Sequence, residues 1–236
     1  MKHRFFNKTT QEQNRILWKI AGITILVNLF LGTLSVIFGL YVLPFLSIAI
    51  SLSIIAPFFD IPSLKKSGRL IYFSHLFMVE RELKGMIIVH GGSLFDYVFV
   101  LNKSLKGRQR KTYIIQQYLQ GLLNLIESQE KKADPEVKIK GTSYILNDRT
   151  AKKLGFKIVK TDFLQKLILT YNYVNLLISN SIAKGKVTFP RLGKVKTFEA
   201  NISELIKHKP SIIKLNLRLL KTLPEVAENE ESLYTV

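Results

Sequence analysis

One segment of this sequence combines three side chains that could take part in acid–base chemistry. In the run His90-Gly91-Gly92-Ser93-Leu94-Phe95-Asp96, a histidine, a serine and a carboxylate meet in a glycine-rich stretch. A histidine can act as a general base, and Asp96 could orient it. The Gly-x-Ser-x-Gly elbow of serine hydrolases is missing, so a nucleophilic Ser93 has little support. His90 and Asp96 are therefore the candidate catalytic residues; the alternative is a tight glycine turn that both side chains cap.

A cluster of cations follows, made of Lys103, Lys106, Arg108, Arg110 and Lys111. It lies ahead of a predicted amphipathic helix that begins near Thr112. A helix N-terminus offers unpaired N–H groups and a positive dipole end, so a phosphate or pyrophosphate would be favoured there. The alternative is a solvated cationic loop that lies against anionic lipid, where each Lys or Arg contributes about 1 kcal/mol.

Two segments around these candidates resemble a known family. Lys106-Gly107-Arg108-Gln109-Arg110-Lys111-Thr112 lies between a predicted strand and a predicted helix, and further on stands Asn147-Asp148-Arg149-Thr150-Ala151-Lys152-Lys153-Leu154-Gly155-Phe156. Together they resemble the pyrophosphate loop and the Asn-x-x-Ala and Leu-Gly-Phe pattern of the GNAT acetyltransferases, in a degenerate form with Gln109 and Lys111 in place of glycines and with three residues between Asn147 and Ala151. For residues 86–160 the resemblance implies a mixed sheet with acyl-CoA bound at splayed strands. The implied anion or cofactor ligands are Lys106, Gly107, Arg108, Arg110, Lys111, Thr112 and Asn147.

The elements around these residues begin with a long apolar segment. The forty residues between Lys19 and Asp60 contain no charged side chain, about twice the 20 needed for one membrane crossing. Gly39 and Pro44 predict a turn between two spans, near residues 20–38 and 42–59. A cleaved signal peptide would have a much shorter apolar core, and a buried core hairpin is the other alternative.

Cations flank both outer ends of this hairpin, whereas the connecting turn has none. Because such residues are retained on the cytoplasmic side, we expect a multi-pass protein of the inner (plasma) membrane with both termini cytoplasmic. The flanking residues are Lys2, Arg4, Lys8, Arg15 and Lys19 before the first span, and Lys65, Lys66 and Arg69 after the second.

The remaining chain alternates helical and strand patterns, which predicts an α+β fold with a mixed β-sheet flanked by helices. Residues 163–183 predict a helix packed on that sheet, and the alternative is a third membrane span. The other predictions are a juxtamembrane helix at 70–84, strands at 86–89, 97–101, 137–146 and 156–159, helices at 112–131 and 149–154, a loop at 185–196, and one or two helices at 202–221 broken at Pro210.

Composition excludes some kinds of site and leaves others open. The chain has no cysteine, and the four histidines show no metal-ligand spacing, so no metal is expected. A net charge of +18 would suit nucleic acid. The charge is spread over the domain without a nucleic-acid motif, however, so anionic membrane lipids, and possibly a membrane protein, are the expected partners.

These patterns divide the chain into a basic N-terminus at 1–19, the hairpin at 20–59, a basic domain at 64–221 and an acidic flexible tail at 222–236. The leading expectation is a membrane-tethered cytosolic domain that serves as an anion- or lipid-surface-binding accessory module. The alternative is a membrane-anchored GNAT-like acyltransferase that uses a CoA thioester. Whether the protein is an enzyme, and with which cofactor, stays open at the level of sequence.

Overall fold

Two long apolar helices form a hairpin at the start of the chain. α1 spans Thr10–Ile37 and α2 spans Leu43–Lys66, and both are long and apolar enough to cross a membrane. Gly39, with φ of 66°, makes the turn between them. The computed structural model describes residues 3–102, 104–132, 137–143 and 146–224.

Polar side chains join the two helices of the hairpin at mid-length. The Asn28 side-chain amide donates to Ser51 Oγ at 2.9 Å, and the Ser47 hydroxyl donates to Asn28 Oδ1 at 2.9 Å. Hydrogen bonds of this kind commonly hold apolar helices together in pairs. They fix the register of α1 against α2.

A mixed sheet follows the hairpin, as the α+β prediction requires. In the described residues its strand order is β1-β2-β3-β4-β6-β5, with β3 and β4 parallel and every other neighbouring pair antiparallel. The strands are β1 (Leu70–Ser74), β2 (Phe77–Glu80), β3 (Met86–Gly91), β4 (Lys138–Ser143), β5 (Lys157–Val159) and β6 (Lys196–Asn201).

Two long helices bury the main core against this sheet. The helices after the hairpin are α3 (Leu94–Val100), α4 (Gly107–Glu130), α5 (Asp148–Lys153), α6 (Phe163–Tyr171), α7 (Tyr173–Lys184) and α8 (Ile202–Leu220), with a 3₁₀ turn at Leu192–Lys194. α4 contributes Leu119, Leu122 and Ile126, and α8 contributes Leu205 and Ile212, to a cluster that includes side chains of β2, β3, β4 and β6. α7 instead contacts α2, α3 and α4.

Several predicted elements are confirmed. The two apolar helices, the strand at 86–89, the helix at 112–131 and the strand at 156–159 are present with shifted ends. The short helix at 149–154 ends as expected at Gly155, which adopts φ of 90°. The strand predicted for 137–146 is β4, and residues 144 and 145 lie outside the described part of the chain.

Two predictions near the hairpin are wrong. Residues 70–84 form the β1–β2 hairpin rather than a helix, with Leu70 paired to Glu80. Residues 97–101 belong largely to α3 rather than to a strand, because Ser93 and Asp96 form a capping box that starts a helix. A short apolar run rich in aromatic residues fits either element by periodicity alone, so the cap decides it.

Further corrections concern the last third of the chain. Residues 163–183 form two helices that meet at Asn172, and α7 packs on other helices instead of the sheet. The loop predicted for 185–196 leads into β6, a strand that was not predicted from the sequence. α8 runs through Pro210 without a break, because its buried face, including Leu205 and Ile212, continues on both sides. The predicted tail at 222–236 lies outside the described residues from 225 onward.

Candidate functional site

His90 lies on β3, and its side chain pairs with the neighbouring strand. Its Nε2 atom lies 2.7 Å from Glu80 Oε1 on β2, and both side chains are about half exposed. The hydrogen bond from His90 lowers the pKa of the Glu80 carboxyl group. The partner of His90 is therefore Glu80 and not Asp96.

Asp96 is fully buried at the N-terminus of α3. Its carboxylate accepts hydrogen bonds from the Ser93 N–H and the Ser93 hydroxyl, each at 2.7 Å, and from the Tyr72 hydroxyl at 2.6 Å. Burial, followed by the charge of Asp96, raises the pKa of Tyr72. A buried carboxylate needs such donors, and Asp96 has them from α3 and β1.

The histidine beside Asp96 is His3. Its Nε2 atom lies 3.4 Å from Asp96 Oδ1, within ion-pair distance but not aligned for a hydrogen bond. Its Nδ1 atom accepts the Phe5 N–H at 3.4 Å, which leaves the proton of a neutral ring on Nε2, facing the carboxylate. No local pattern in the sequence links residues 3 and 96, so the pair was missed.

The glycines of this segment serve close packing. A Cβ atom on Gly91 would lie 2.3 Å from the Tyr118 hydroxyl oxygen, and one on Gly92 would lie 2.8 Å from Leu76 Cδ2. Burial raises the pKa of Tyr118, whose hydroxyl lies 3.2 Å from that of Tyr97. The alternative prediction, that His90 and Asp96 both cap this segment, is therefore correct only for Asp96, which takes part in the capping box of α3.

An aromatic cluster surrounds this group at the base of the hairpin, made of Phe5, Phe58, Phe95 and Phe99. Their ring centroids lie 5.0 to 6.2 Å apart in the pairs that touch. Phe5 and Phe95 are completely buried. The cluster joins the segment before α1, the end of α2, and α3, so it sets how the domain sits on the hairpin.

The predicted anion-binding residues 106–112 lie in the first turns of α4, after α3, instead of in a strand-to-helix loop. The Lys106 N–H donates to Gln109 Oε1 at 2.9 Å, and the Arg110 guanidinium donates to Leu105 O at 2.7 Å and Ile182 O at 2.9 Å. A Cβ atom on Gly107 would lie 2.2 Å from the Lys184 carbonyl oxygen. The C-terminal end of α7 thus packs against the N-terminal end of α4, which brings opposite dipole ends together.

Thr112 and Asn147 form local hydrogen bonds. The Thr112 hydroxyl donates to Arg108 O at 3.2 Å within α4. The Asn147 side chain accepts the Thr150 N–H at 2.9 Å and so caps α5. Both side chains therefore form hydrogen bonds to the backbone of their own helix, Thr112 within α4 and Asn147 at the start of α5.

The fold extends the cationic group with residues from another part of the chain. Burial, and then the charges of Lys111, Arg191 and Lys186, lower the pKa of Lys184. We call these four residues the cationic cluster. None of the four forms an ion pair within the described residues. Within the described part of the chain the cluster is a surface of excess positive charge, and the basic run from Lys184 to Lys194 was the sequence signal for it.

The two parallel strands part at their C-terminal ends. β3 and β4 pair from Met86 with Lys138 as far as Val89 with Gly141. Beyond that point β3 pairs only with β2, and β4 only with β6. The pairing between β3 and β4 therefore ends two residues before either strand ends.

No family model, curated protein or solved structure matches this chain. The resemblance of residues 86–160 to the GNAT acetyltransferases stays a prediction.

The described residues thus place the predicted site residues in four separate settings. His90 pairs with Glu80, Asp96 is enclosed beside His3 and Tyr72, Asn147 caps α5, and the cations lie at the junction of α4 and α7. No group of three or more His, Asp or Glu side chains able to hold a metal ion occurs among the residues that the structure describes. Of these settings, the junction of α4 and α7 carries exposed positive charge, and such charge attracts anions.

Proposed function

We propose that this chain is a two-pass membrane protein whose basic α+β domain is held at the cytoplasmic face and binds anionic lipid head groups. The observation that carries the proposal is the exposed apolar surface of α1 and α2. Leu29, Phe30 and Phe45 are 63, 63 and 76 % exposed. Burying a large apolar side chain stabilises by about 1.5–3 kcal/mol, so a row of exposed ones calls for a lipid environment.

The flanking charges support the orientation. Arg15 and Lys19 lie near the start of α1, and Lys65 and Lys66 lie at the end of α2, whereas the turn between the helices carries no cation. Cations are retained on the cytoplasmic side, so both ends of the given chain and the domain lie there. The aromatic residues Trp18 and Tyr41 stand near the two ends of the apolar part, where such rings favour the membrane interface.

The packing of α7 supports a position of the cationic cluster near the head groups. The Asn175 side chain donates to the Ser53 carbonyl of α2, and Ile178 and Ile182 pack against the aromatic cluster that includes Phe58. α7 therefore follows the last part of α2 in the same direction. At 1.5 Å per residue, Lys184 lies about 14 Å beyond Asn175, and Asp60 lies about 10 Å beyond Ser53. Lys184 thus comes close to the level at which α2 leaves the apolar layer.

Electron spin resonance in bilayers tests the lipid-binding part. The full chain is placed in phosphatidylcholine bilayers that contain spin-labelled phosphatidylglycerol or, separately, spin-labelled phosphatidylcholine. We expect a larger motionally restricted fraction for the anionic label, since each cation near the surface contributes about 1 kcal/mol. Changing Lys184, Lys186 and Arg191 together to Gln should lower that preference.

A matched variant controls for net charge. Changing Lys214, Lys221 and Arg218 to Gln removes the same charge from exposed positions on or next to α8. If both triple variants lose the preference equally, the cationic cluster is not the binding surface. If the wild-type chain shows no preference for the anionic lipid, lipid head groups are not its ligand.

Cysteine labelling tests the orientation, because the chain contains no cysteine of its own. We expect Leu40→Cys, in the turn, to react with a membrane-impermeant maleimide added outside intact cells. Ser67→Cys, just after α2, should react only after the membrane is opened. The reverse pattern would show that the domain lies outside.

A membrane-anchored GNAT-like acyltransferase that uses acyl-CoA is a second candidate, favoured by the parting of β3 and β4. His90 and Gly91 lie at the end of one strand, and Thr142 and Ser143 at the end of the other. Calorimetry with CoA on the full chain in micelles tests it, with pantetheine as the control that lacks the pyrophosphate. Saturable binding of CoA that acetyl-CoA displaces would support this candidate, and no heat with millimolar CoA would remove it.

A further inference from the structure

α6 stands out because none of its side chains is buried. Phe163 is 79 % exposed, and Leu167 is 54 % exposed. A helix of nine residues does not hold itself together in water, and packing normally stabilises it. Within the described residues, α6 lacks the packing that such a helix normally needs.

The exposed apolar side chains of α6 lie on one face. Their spacing of one, three, one and three residues follows the helical repeat and forms a stripe along the whole helix. Gln165, Lys166 and Thr170 are polar and lie off this stripe, as does Leu169, which is partly buried. The members of this stripe, which we call the α6 face, are Phe163, Leu164, Leu167, Ile168 and Tyr171.

The two ends of α6 are attached at different places. Just before its first residue, Thr161 is buried and accepts a hydrogen bond from the Thr197 hydroxyl of β6 at 3.1 Å. At its last residue, the Tyr171 carbonyl accepts the Ser53 hydroxyl of α2 at 3.2 Å. Ser53 lies seven residues before Asp60, or about 10 Å inside the uncharged part of the hairpin.

The membrane assigned to the hairpin therefore extends to α6. We infer that α6 is inserted in the cytoplasmic leaflet, with the α6 face against lipid acyl chains and Lys166 toward the head groups. The inference rests on the proposed membrane hairpin, because Ser53 sets the depth of Tyr171. An amphipathic helix with one apolar face is the form in which a segment lies in a leaflet without crossing it.

Fluorescence quenching in the full chain tests this assignment. Single cysteines at Leu167, Lys166, Leu29 and Leu217 are labelled with an environment-sensitive nitrobenzoxadiazole dye, and the chain is placed in vesicles of phosphatidylcholine and phosphatidylglycerol. Nitroxide groups on the lipid acyl chains then quench dyes that touch the apolar layer. We expect the dyes at residues 167 and 29 to lose most of their emission, and those at 166 and 217 to keep most of it.

The four dye positions distinguish the proposed membrane hairpin from the proposed insertion of α6 in the leaflet. Leu217 is an exposed apolar residue on α8, away from the hairpin, and Leu29 lies in α1. Quenching at 29 without quenching at 167 would overturn the inference and leave the membrane hairpin standing. No quenching at 29 would overturn the hairpin itself. Equal quenching at 166 and 167 would also overturn the inference, because α6 would then be immersed on all sides.

Discussion

The Arg4 guanidinium donates a hydrogen bond to the Phe99 carbonyl at 2.6 Å, and so ties the segment before α1 to the end of α3. Two further bonds from the same group reach Leu101 O at 2.8 Å and Val98 O at 3.1 Å. The last carbonyls of a helix have no partner within the helix, and a cation there also opposes the negative dipole end. Arg4 thus fastens the domain to the base of the hairpin.

Replacing Arg4 by Ala should loosen this attachment. Because Arg4 is exposed, we expect the loss to be modest, about 0.5–1.5 kcal/mol in the free energy of unfolding. Thermal unfolding in micelles measures it, followed by near-ultraviolet circular dichroism of the aromatic cluster. Arg81→Ala removes an exposed arginine whose side chain forms no hydrogen bond or ion pair with another described residue, and it should change the unfolding temperature little. Equal effects of the two variants would contradict the role of Arg4.

The Tyr72–Asp96 hydrogen bond should show energetic coupling. We expect Tyr72→Phe to cost about 1–2 kcal/mol of stability and Asp96→Asn about 2–4 kcal/mol, because the amide places a donor where Ser93 also donates. The double variant should cost less than the sum, with a coupling of about 0.5–3 kcal/mol. Denaturant unfolding of the four proteins completes the cycle. Strict additivity would mean that the hydroxyl and the carboxylate do not interact.

The buried His75 should make stability depend on pH. Burial, and then the positive charge that His3 can carry, lower the pKa of His75 to about 4. The unfolded chain has a histidine pKa of about 6.5, so between these two values the unfolded state binds a proton that the folded state excludes. Stability should therefore be complete above about pH 6.5 and fall by about 3 kcal/mol as the pH drops to about 4.

The measurement compares the wild-type chain with His75→Gln. Unfolding free energies from denaturant titrations between pH 4 and pH 8 give the slope for each protein. We expect the variant to have a lower stability at pH 8 and a flatter profile below pH 6.5, because its side chain does not titrate. Parallel profiles would show that other groups cause the pH dependence.

The contact between Gly107 and Lys184 should make the junction of α4 and α7 sensitive to a single methyl group. In Gly107→Ala the new Cβ atom would lie 2.2 Å from the Lys184 carbonyl oxygen, so we expect a loss of about 1–3 kcal/mol. Gly193→Ala is the control, since nothing lies within 4 Å of its Cβ position. Thermal unfolding of both variants measures the difference. A neutral Gly107→Ala would show that α7 can move away without cost.

Elements whose ends are marked by residues within the same segment could be predicted from the sequence, whereas elements that depend on long-range pairing could not. α5 was predicted because Gly155 closes it within the segment itself, and the structure adds the cap at Asn147. Residues 97–101, wrongly predicted as a strand, also follow a local helix signal, the Ser93–Asp96 capping box. β6 carried only a weak pattern, and its place between β4 and β5 comes from long-range pairing.

In the candidate sites, too, groups that are neighbours in sequence could be predicted, whereas groups that packing brings together could not. Lys106, Arg108 and Lys111 could be named as a cationic group because they are neighbours in sequence. Lys184, Lys186 and Arg191 join them only because α7 packs its end against α4. The expected pairing of His90 with Asp96 fails for a related reason: β-strand register places Glu80 beside His90, and the chain before α1 brings His3 to Asp96.

The sequence alone determined the two apolar helices, because an unbroken run without charge needs no distant partner to be recognised. It also determined the excess of positive charge and the amphipathic pattern of α4. Only the tertiary structure decided which polar groups meet: His3 with Asp96, Arg4 with Phe99, and Tyr171 with Ser53. These contacts join residues far apart in the chain, and their positions follow from the packing of whole elements, which the periodicity of a single segment does not contain.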